Sequence, residues 1–325
     1  MLGKSRIFEL NGYDPFLDYV KGICIFFVIL AHNLPQQDLF LFPFWGDQAV
    51  PCFLLIQVFH VYKRGININS KIDVRKIFKR IILPFLVVSM VSAFLLYVTS
   101  DLSVMQVLEK GLAAGGYGPG SYYIWVYLQF VLLIPLCRYI FIYASGYKLL
   151  AIFVLISVLI ELLCSHFHPS AIIYRLLFLR YFFLIYLGYM LTVEKVNTIE
   201  LLLLNVLSLV FIFLFYYSEC DFEPFFFDND WKIFHWIIYF YTASGFLYIL
   251  RVSYHLAPAK LLKLVKCMGQ YSYEIFLSQM FVFAFLRPDY LSFLKNWHIN
   301  IGLVYISLTI ILSIFPILIY KGYKK

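Results

Sequence analysis

Long apolar stretches alternate with shorter polar segments along the whole chain, and ten of them approach the length that crosses a bilayer. A helix needs about 20 predominantly apolar residues to span the hydrocarbon core. The second stretch is short, so a tilted or partly re-entrant course stays open for it. We place the predicted spans at 16–34, 46–62, 78–99, 121–141, 148–164, 172–192, 199–217, 232–251, 269–286 and 301–320. This pattern predicts an all-α polytopic transmembrane helix bundle that forms a single domain over residues 1–325.

Composition agrees with this fold class. Hydrophobic residues make up 63% of the 325, charged residues only 14%, and the mean hydropathy is +0.84. A soluble domain is about half apolar and about a quarter charged. The N-terminus has no cleavable-signal pattern, because charged residues and a glycine precede the first apolar run and no small-residue cleavage site follows it. We therefore expect the first span to be retained.

The basic residues between the spans predict an orientation. With the N-terminus in the cytoplasm, 19 of the 26 Lys and Arg residues fall on the cytoplasmic side and 6 on the opposite side, while Lys21 lies within the first span. Cytoplasmic segments carry such an excess in membrane proteins. We expect both termini in the cytoplasm and a multi-pass protein of the inner cell membrane. A net charge of +8 is then explained by anionic lipid at the cytoplasmic rim, and it calls for no nucleic-acid partner.

The cysteines and histidines give no sign of a metal centre. The six cysteines are scattered singly with no C-x-x-C motif, and a disulfide between Cys164 and Cys220 is left open. His166 and His168 lie two residues apart without further ligands at workable spacing. We expect no bound metal and no permanently bound cofactor.

Ionisable residues inside the predicted spans are the most informative positions. Lys21 and His32 are eleven residues apart, so on one helix they share a face about 16 Å apart along the axis. Asp18 precedes Lys21 by three residues on the same face; it either orients or neutralises the lysine or is an ordinary acid at the membrane interface. Ionisable groups within spans are rare and usually mark a site or a pathway. Because an unpaired carboxylate inside a span costs free energy, Glu161 and Glu274 are expected to be paired or protonated. From the residues alone, a structural histidine that caps the span remains the competing interpretation of His32.

Two connecting segments have unusual compositions. Residues 109–123 contain five glycines and a proline, so they cannot form a regular helix throughout; either the backbone approaches a ligand closely or the segment is a flexible loop. Residues 63–80 contain seven basic residues and one acid. This segment is a topology determinant, and it is also suited to binding a cytosolic polyanion, because phosphates bind clustered Lys and Arg.

The motif Asp18-Tyr19-Val20-Lys21-Gly22, followed by the Lys-x10-His spacing, resembles the membrane acyltransferase 3 family, whose members acylate surface polysaccharides and related glycans. Many members have arginine at the position of Lys21. Looser matches occur in the family's order over most of the chain: Val50-Pro51-Cys52-Phe53, Lys79-Arg80 with Pro84, the segment 121–135 with Trp125 and Gln129, 181–188, and the Gly269 to Leu277 segment.

The resemblance implies a mechanism in which cytosolic acyl-CoA, acetyl-CoA in the simplest case, acts as co-substrate. His32 is then the general base or a transient acyl carrier, with Lys21 and Asp18 as its catalytic partners. The expected acceptor is a hydroxyl of a cell-surface or lipid-linked glycan. The residues expected to hold the CoA phosphates are Arg75, Lys76, Lys79 and Arg80; those expected to bind the acceptor are Trp125, Tyr122 and Glu274.

Two other functions fit the same sequence. A transporter or flippase for a lipid-linked glycan would share the topology, the basic cytoplasmic face and the buried ions, but it would not need the Lys-x10-His spacing. A catalytically inactive relative would act as an assembly partner in a polysaccharide machine.

Overall fold

The structure is a computed structural model that describes residues 8–10, 12–33, 41–63, 65, 73–100, 102–193, 198–217, 235–286 and 301–322. These residues contain helices and turns and no strand. The helices are α1 (Pro15–Asn33), α2 (Phe42–Trp45), α3 (Ala49–Tyr62), α4 (Val74–Ile77), α5 (Leu83–Thr99), α6 (Val104–Ala114), α7 (Tyr122–Tyr143), α8 (Gly146–Phe167), α9 (Ala171–Leu176), α10 (Phe183–Met190), α11 (Thr198–Tyr217), α12 (Tyr239–Tyr241), α13 (Leu247–Leu256), α14 (Ala259–Gln270), α15 (Ser272–Phe285) and α16 (Ile301–Gly322).

The helical fold class is confirmed. Within the described part of the chain, five helical stretches are long and apolar enough to cross a membrane. They are Pro15–Asn33, Val74–Thr99, Tyr122–Tyr143, Gly146–Phe167 and Gly302–Tyr320. The second of these joins α4 to α5 through a π-helical turn at Phe78–Ile82, so the predicted span 78–99 begins four residues earlier in the structure.

The prediction of one continuous span at 172–192 is wrong. α9 ends at Leu176, Leu177 adopts an extended backbone, and a 3₁₀ turn at Leu179–Tyr181 leads into α10. The break is stabilised by Gln129 of α7, which donates to Leu176 O at 2.7 Å and accepts from Phe178 N at 3.0 Å. Non-helical backbone is tolerated at membrane depth only where its polar groups are satisfied inside the protein.

Two other predicted spans need smaller corrections. The span predicted at 269–286 is divided at Tyr271, because Gly269 and Gln270 end the amphipathic helix α14 and α15 begins at Ser272. The span predicted at 46–62 is helical only from Ala49, and its 14 residues make α3 shorter than the bilayer requires for a straight crossing.

An aromatic core holds α3, α7, α8 and α10 together. Phe141 stacks on Tyr189 with centroids 3.9 Å apart and on Phe153 at 5.5 Å. The hydroxyl of Tyr62 enters this core and donates to Ile134 O. Flat rings at several depths therefore fix the spacing between these four helices.

Glu161 of α8 has a partner, as expected for a carboxylate inside a span. Its Oε1 lies 3.1 Å from His235 Nε2, and the two side chains are only 12% and 10% exposed. Pairing reduces the cost of placing ionisable groups away from water. The described cysteine of the proposed pair, Cys164, is buried, whereas Cys220 lies outside the described residues.

The helices meet at two ends that organise the site. At what we call the Lys21 end, the start of α1 lies against the end of α3, where Lys63 Nζ donates to Gly12 O, and against the end of α14, where Gln270 donates to Tyr13 OH. At the opposite end, called the His32 end, Thr309 of α16 donates to Asn33 at 2.7 Å. α1 connects the two ends without a break.

Candidate functional site

Lys21 is part of a compact charged group at the start of α1. Its ammonium lies 2.7 Å from Asp18 Oδ1, with side-chain exposures of 24% and 7%. The hydroxyl of Tyr13 donates to the other oxygen of Asp18. Burial and the hydrogen bond to Asp18 raise the pKa of Tyr13, so its hydroxyl stays a donor. Asp18 therefore receives one cation and one neutral donor.

Close backbone packing fixes this group. α14 crosses α1 so tightly that a methyl group added at Gly269 would lie 1.7 Å from Asp18 O, and one added at Gly22 would lie 2.0 Å from Val265 O. Only glycine allows these two helices to approach so closely. Gly22 and Gly269 thereby let the part of α1 that carries the ion pair pack directly against α14.

His32 is at the other end of α1, and the helical stripe between it and Lys21 is packed. Ile25 and Val28 occupy the intervening turns of the same face and are only 1% and 8% exposed. The expected spacing of Lys21 and His32 on one continuous helix is confirmed. A pantetheine arm that followed this face would have to displace Ile25 and Val28.

His32 is more than a third exposed, yet it lies next to residues from two other segments. The ring of Phe283 of α15 lies edge-on with its centroid 6.0 Å away. Gly120 faces Nε2, such that a methyl group added there would lie 3.6 Å from Nε2 and 3.2 Å from Phe276. We call the space bordered by His32, Gly120, Phe276 and Phe283 the His32 chamber.

The glycine-rich segment forms one wall of this chamber. Gly115, Gly116, Gly118 and Gly120 all have positive φ angles, which L side chains rarely adopt. A methyl group at Gly118 would lie 2.6 Å from Met280 O of α15. In the structure, the glycines of this segment bring its backbone close to α15 and His32, and an approach to a ligand stays a prediction.

Hydrogen bonds fix the segment at both sides. Ser121 donates to Ala114 O at 2.8 Å, Trp125 donates from Nε1 to Gly115 O at 2.6 Å, and Tyr117 donates to Val107 O at 2.9 Å. Each bond links a side chain to the backbone of α6 or the turn after it. The wall is therefore an ordered turn rather than a loose connection.

Trp125 and Tyr122, both predicted to bind the acceptor, lie on the first turn of α7, directly after this wall. Trp125 is 43% exposed despite its hydrogen bond. The ring of Tyr122 lies under two guanidinium groups, with Arg175 at 4.5 Å and Arg180 at 5.1 Å from its centroid. The structure thus brings both residues to the His32 end.

Glu274, the third residue predicted to bind the acceptor, lies elsewhere. It occupies the first turn of α15, and its neighbour Tyr273 donates to Ile81 O in the π-helical turn at Phe78–Ile82. Gln270, just before this turn, contacts Tyr13 at the Lys21 end. The residue next to Glu274 therefore contacts the π-helical turn that carries Lys79 and Arg80.

The basic residues predicted to hold phosphates lie together on α4 and the π-helical turn that follows. Asp73 caps α4 by accepting from Lys76 N at 2.9 Å. The four side chains are exposed: Arg75, Lys76, Lys79 and Arg80. Most of the preceding basic segment, residues 64 and 66–72, lies outside the described residues.

Three polar residues near the chamber were missed as site candidates by sequence reasoning. Arg175 and Arg180 lie in the apolar run predicted to span at 172–192 and are not among the predicted site residues. Gln279 of α15 is fully buried with neither amide atom bonded to a described residue, and it lies between Phe276 and Phe283 on one helical face. A glutamine within an apolar run was the available signal for Gln279.

The model of a known protein family, described as an acyltransferase domain, matches residues 14–321. The chain belongs to the acyltransferase 3 family. It is accordingly a membrane acyltransferase of the O-acetyltransferase-like type. No curated protein and no solved structure matches the chain. The described residues of this acyltransferase contain no cluster of three or more His, Cys, Asp or Glu able to hold a metal ion.

Proposed function

We propose that this acyltransferase moves an acyl group, acetyl in the simplest case, from cytosolic acyl-CoA to a hydroxyl of a cell-surface or lipid-linked glycan. His32 is the general base that takes the proton of the attacking hydroxyl. A positioned histidine suits this role because its ordinary pKa lies near the working pH. The location is the inner cell membrane, with the donor supplied from the cytoplasm.

The observation that carries this proposal is the setting of His32. Nε2 lies close to the backbone of Gly120, and His32 is more than a third exposed. A structural histidine that only capped the span would be expected to use its ring nitrogens on neighbouring backbone groups. The exposed Trp125 close by supplies a flat surface on which a sugar ring can stack.

The donor end follows from the charges. Arg75, Lys76, Lys79 and Arg80 are exposed on one short stretch, and clustered cations attract the phosphates of CoA. Lys21 adds a fixed charge deeper in the protein, held by Asp18. Because Ile25 and Val28 are packed between Lys21 and His32, passage of the acyl group includes a separation of α1 from its neighbours at these two residues.

The experiment that tests the proposal replaces His32 by Gln. Glutamine keeps similar size and hydrogen bonding but cannot take a proton near neutral pH. We expect acyl transfer to fall by about 10²–10⁴-fold at matched membrane levels of protein, which is the typical contribution of a positioned base. Ester content of the purified glycan, released by mild alkali, is the measurement. His166→Gln is the control, because His166 is exposed on the last turn of α8.

The same cells separate the acyltransferase from a glycan transporter. If His32 acts in acyl transfer, the His32→Gln cells display a normal amount of glycan that lacks ester groups. A reduced amount of glycan with normal ester content would contradict the proposal and favour the transporter. Near-normal ester content would leave His32 a structural residue.

A further inference from the structure

Arg175 lies beside the His32 chamber without an assigned role. Its guanidinium is 4.5 Å from the centroid of the Tyr122 ring. Tyr122 follows Gly120 by two residues, and Gly120 is the residue that faces His32 Nε2. The charge of Arg175 is also close enough to act on the His32 imidazole. A cation and a base are therefore neighbours at the His32 end.

The charge of Arg175 is not neutralised by a neighbour among the described residues. No carboxylate of these residues lies within 4 Å of its guanidinium, and its buried Nε has no hydrogen-bond acceptor there. Arg180 shares the Tyr122 ring but has a different setting: its charge acts on Asp47, and its guanidinium also lies 4.5 Å from the Tyr181 ring. Of the two arginines, Arg175 is the one whose charge acts on His32.

An unpaired cation in a partly buried site costs free energy, so an anion that forms or binds there is stabilised strongly. Acyl transfer creates such an anion. The acceptor oxygen attacks the thioester carbonyl carbon, a C–O bond forms, and the carbonyl π electrons move to the oxygen while His32 takes the hydroxyl proton. Collapse of the oxyanion then breaks the C–S bond, and the CoA thiolate recovers the proton from the imidazolium.

We propose that Arg175 is a further catalytic residue of this acyltransferase, whose guanidinium stabilises the oxyanion of the tetrahedral intermediate. The assignment rests on the proposed function, since it needs the transfer step to occur at His32. The cation–π contact with Tyr122 fixes the direction of the guanidinium, and Gln129 holds the backbone break after α9 in place. A preorganised donor of this kind is among the strongest contributions to catalysis.

The test measures steady-state kinetics of purified Arg175→Met and Arg175→Lys with acyl-CoA and the glycan acceptor. We expect Arg175→Met to lower kcat by about 10²–10³-fold, the usual loss when an oxyanion donor is removed. KM for both substrates should change only a few-fold, because the oxyanion exists only in the transition state and the intermediate. Arg175→Lys should recover part of the loss, since it keeps the charge without the planar fork.

Two controls make the outcome decisive. Lys110→Met removes one positive charge from an exposed position on α6, near the same wall, and should leave kcat unchanged. Thermal unfolding in detergent identifies variants that fail to fold. If Arg175→Met fails to fold, the kcat of Arg175→Lys is compared with that of the unmodified protein instead. His32→Gln is measured beside them. If that variant is inactive while Arg175→Met keeps its kcat, the inference about Arg175 fails and the proposed function stands.

Two further outcomes would also overturn the inference. If Arg175→Met raises the acceptor KM at unchanged kcat, the guanidinium binds an anionic group of the acceptor instead of the oxyanion. If His32→Gln remains active, the proposed function itself fails, whatever Arg175 does.

Discussion

At the scale of single residues, Lys21 is paired with Asp18 and is also proposed to act on the acyl donor. The two roles can be separated by experiment. Asp18 is 7% exposed and already accepts a hydrogen bond from Tyr13, so without Lys21 it would be a poorly compensated buried carboxylate. Lys21 is 24% exposed and has donors to spare. Its charge therefore has two possible uses, one inside the protein and one toward the acyl donor.

We expect Lys21→Arg to retain activity and Lys21→Met to lose roughly 10–100-fold, the range that a charged hydrogen bond of about 1.5–3 kcal/mol represents. The measurement is acyl transfer at saturating and limiting acyl-CoA. Lys148→Met is the matched control, because Lys148 is exposed on the first turn of α8 and belongs to neither the ion pair nor the basic segment 63–80. Equal activity of the Arg and Met variants would mean that the charge is irrelevant.

The double variant Lys21→Met with Asp18→Asn separates the two uses of the charge. If Lys21 acts on the donor, the double variant stays inactive, since the cation is still missing. If Lys21 only neutralises Asp18, removing both charges restores activity. Recovery would therefore contradict a role for Lys21 in binding the donor.

The sequence was sufficient to predict that Lys21 and His32 share one helix, because two ionisable residues in an unbroken apolar run leave few alternatives. It was not sufficient for Arg175. An arginine near the end of an apolar run is commonly a residue that extends its charge to the membrane surface. What distinguishes Arg175 from such a residue is its contact with the ring of Tyr122, which lies 53 residues earlier in the sequence.

At the scale of helices, the break after α9 depends on one side chain. Gln129 satisfies Leu176 O and Phe178 N, the two backbone groups that the extended Leu177 releases. The apolar pattern predicts one helix here, because it contains no information about side chains from other helices. The hydrogen bonds of Gln129 replace the helical backbone bonds that are lost at the break. The predicted span at 269–286 likewise includes Gly269 and Gln270, the last two residues of α14, because hydropathy does not mark where one helix ends and the next begins.

We expect Gln129→Leu to destabilise the fold by about 1–3 kcal/mol for each buried backbone group left without a partner. The transition temperature of the purified protein in detergent is the measurement. Gln129→Glu should have an intermediate effect, because a carboxylate oxygen still accepts from Phe178 N but no donor remains for Leu176 O. Leu132→Ala, at a position 60% exposed on the same helix, is the control. A Gln129→Leu protein as stable as the control would show that the break does not depend on these bonds.

At the scale of the whole molecule, the two ends of the bundle have different electrostatic character. α4, the π-helical turn and α14 carry exposed cations. We assign these cations to the Lys21 end, which is the predicted cytoplasmic side. Hydropathy alone does not show on which side of the membrane each end lies, because the number of crossings is ambiguous. The 14 residues of α3 and the break after α9 both leave that number open. Charge distribution carries the orientation more directly than the number of helices does.

We expect both termini in the cytoplasm, with α6 on the opposite side of the membrane from α14. In a variant without native cysteines, Lys110→Cys should react with a membrane-impermeant maleimide in intact cells. Lys263→Cys should react only after the cytoplasmic side is opened; both positions are exposed. A reporter fused after Lys325, which lies outside the described residues, should be active only as a cytoplasmic reporter. Labelling of Lys263→Cys from outside would invert the orientation.

The wall of positive-φ glycines has a consequence for how this protein can evolve. Gly115, Gly116, Gly118 and Gly120 all have positive φ angles, which L side chains rarely adopt, and a methyl group at Gly118 would also lie 2.6 Å from the backbone oxygen of Met280, so alanine at Gly118 is disfavoured on two independent grounds. Selection cannot tune the chamber there by small steps. New acceptor preferences must arise instead from Trp125, Tyr122 or the face of α15, and this segment should keep its glycines while those neighbours vary.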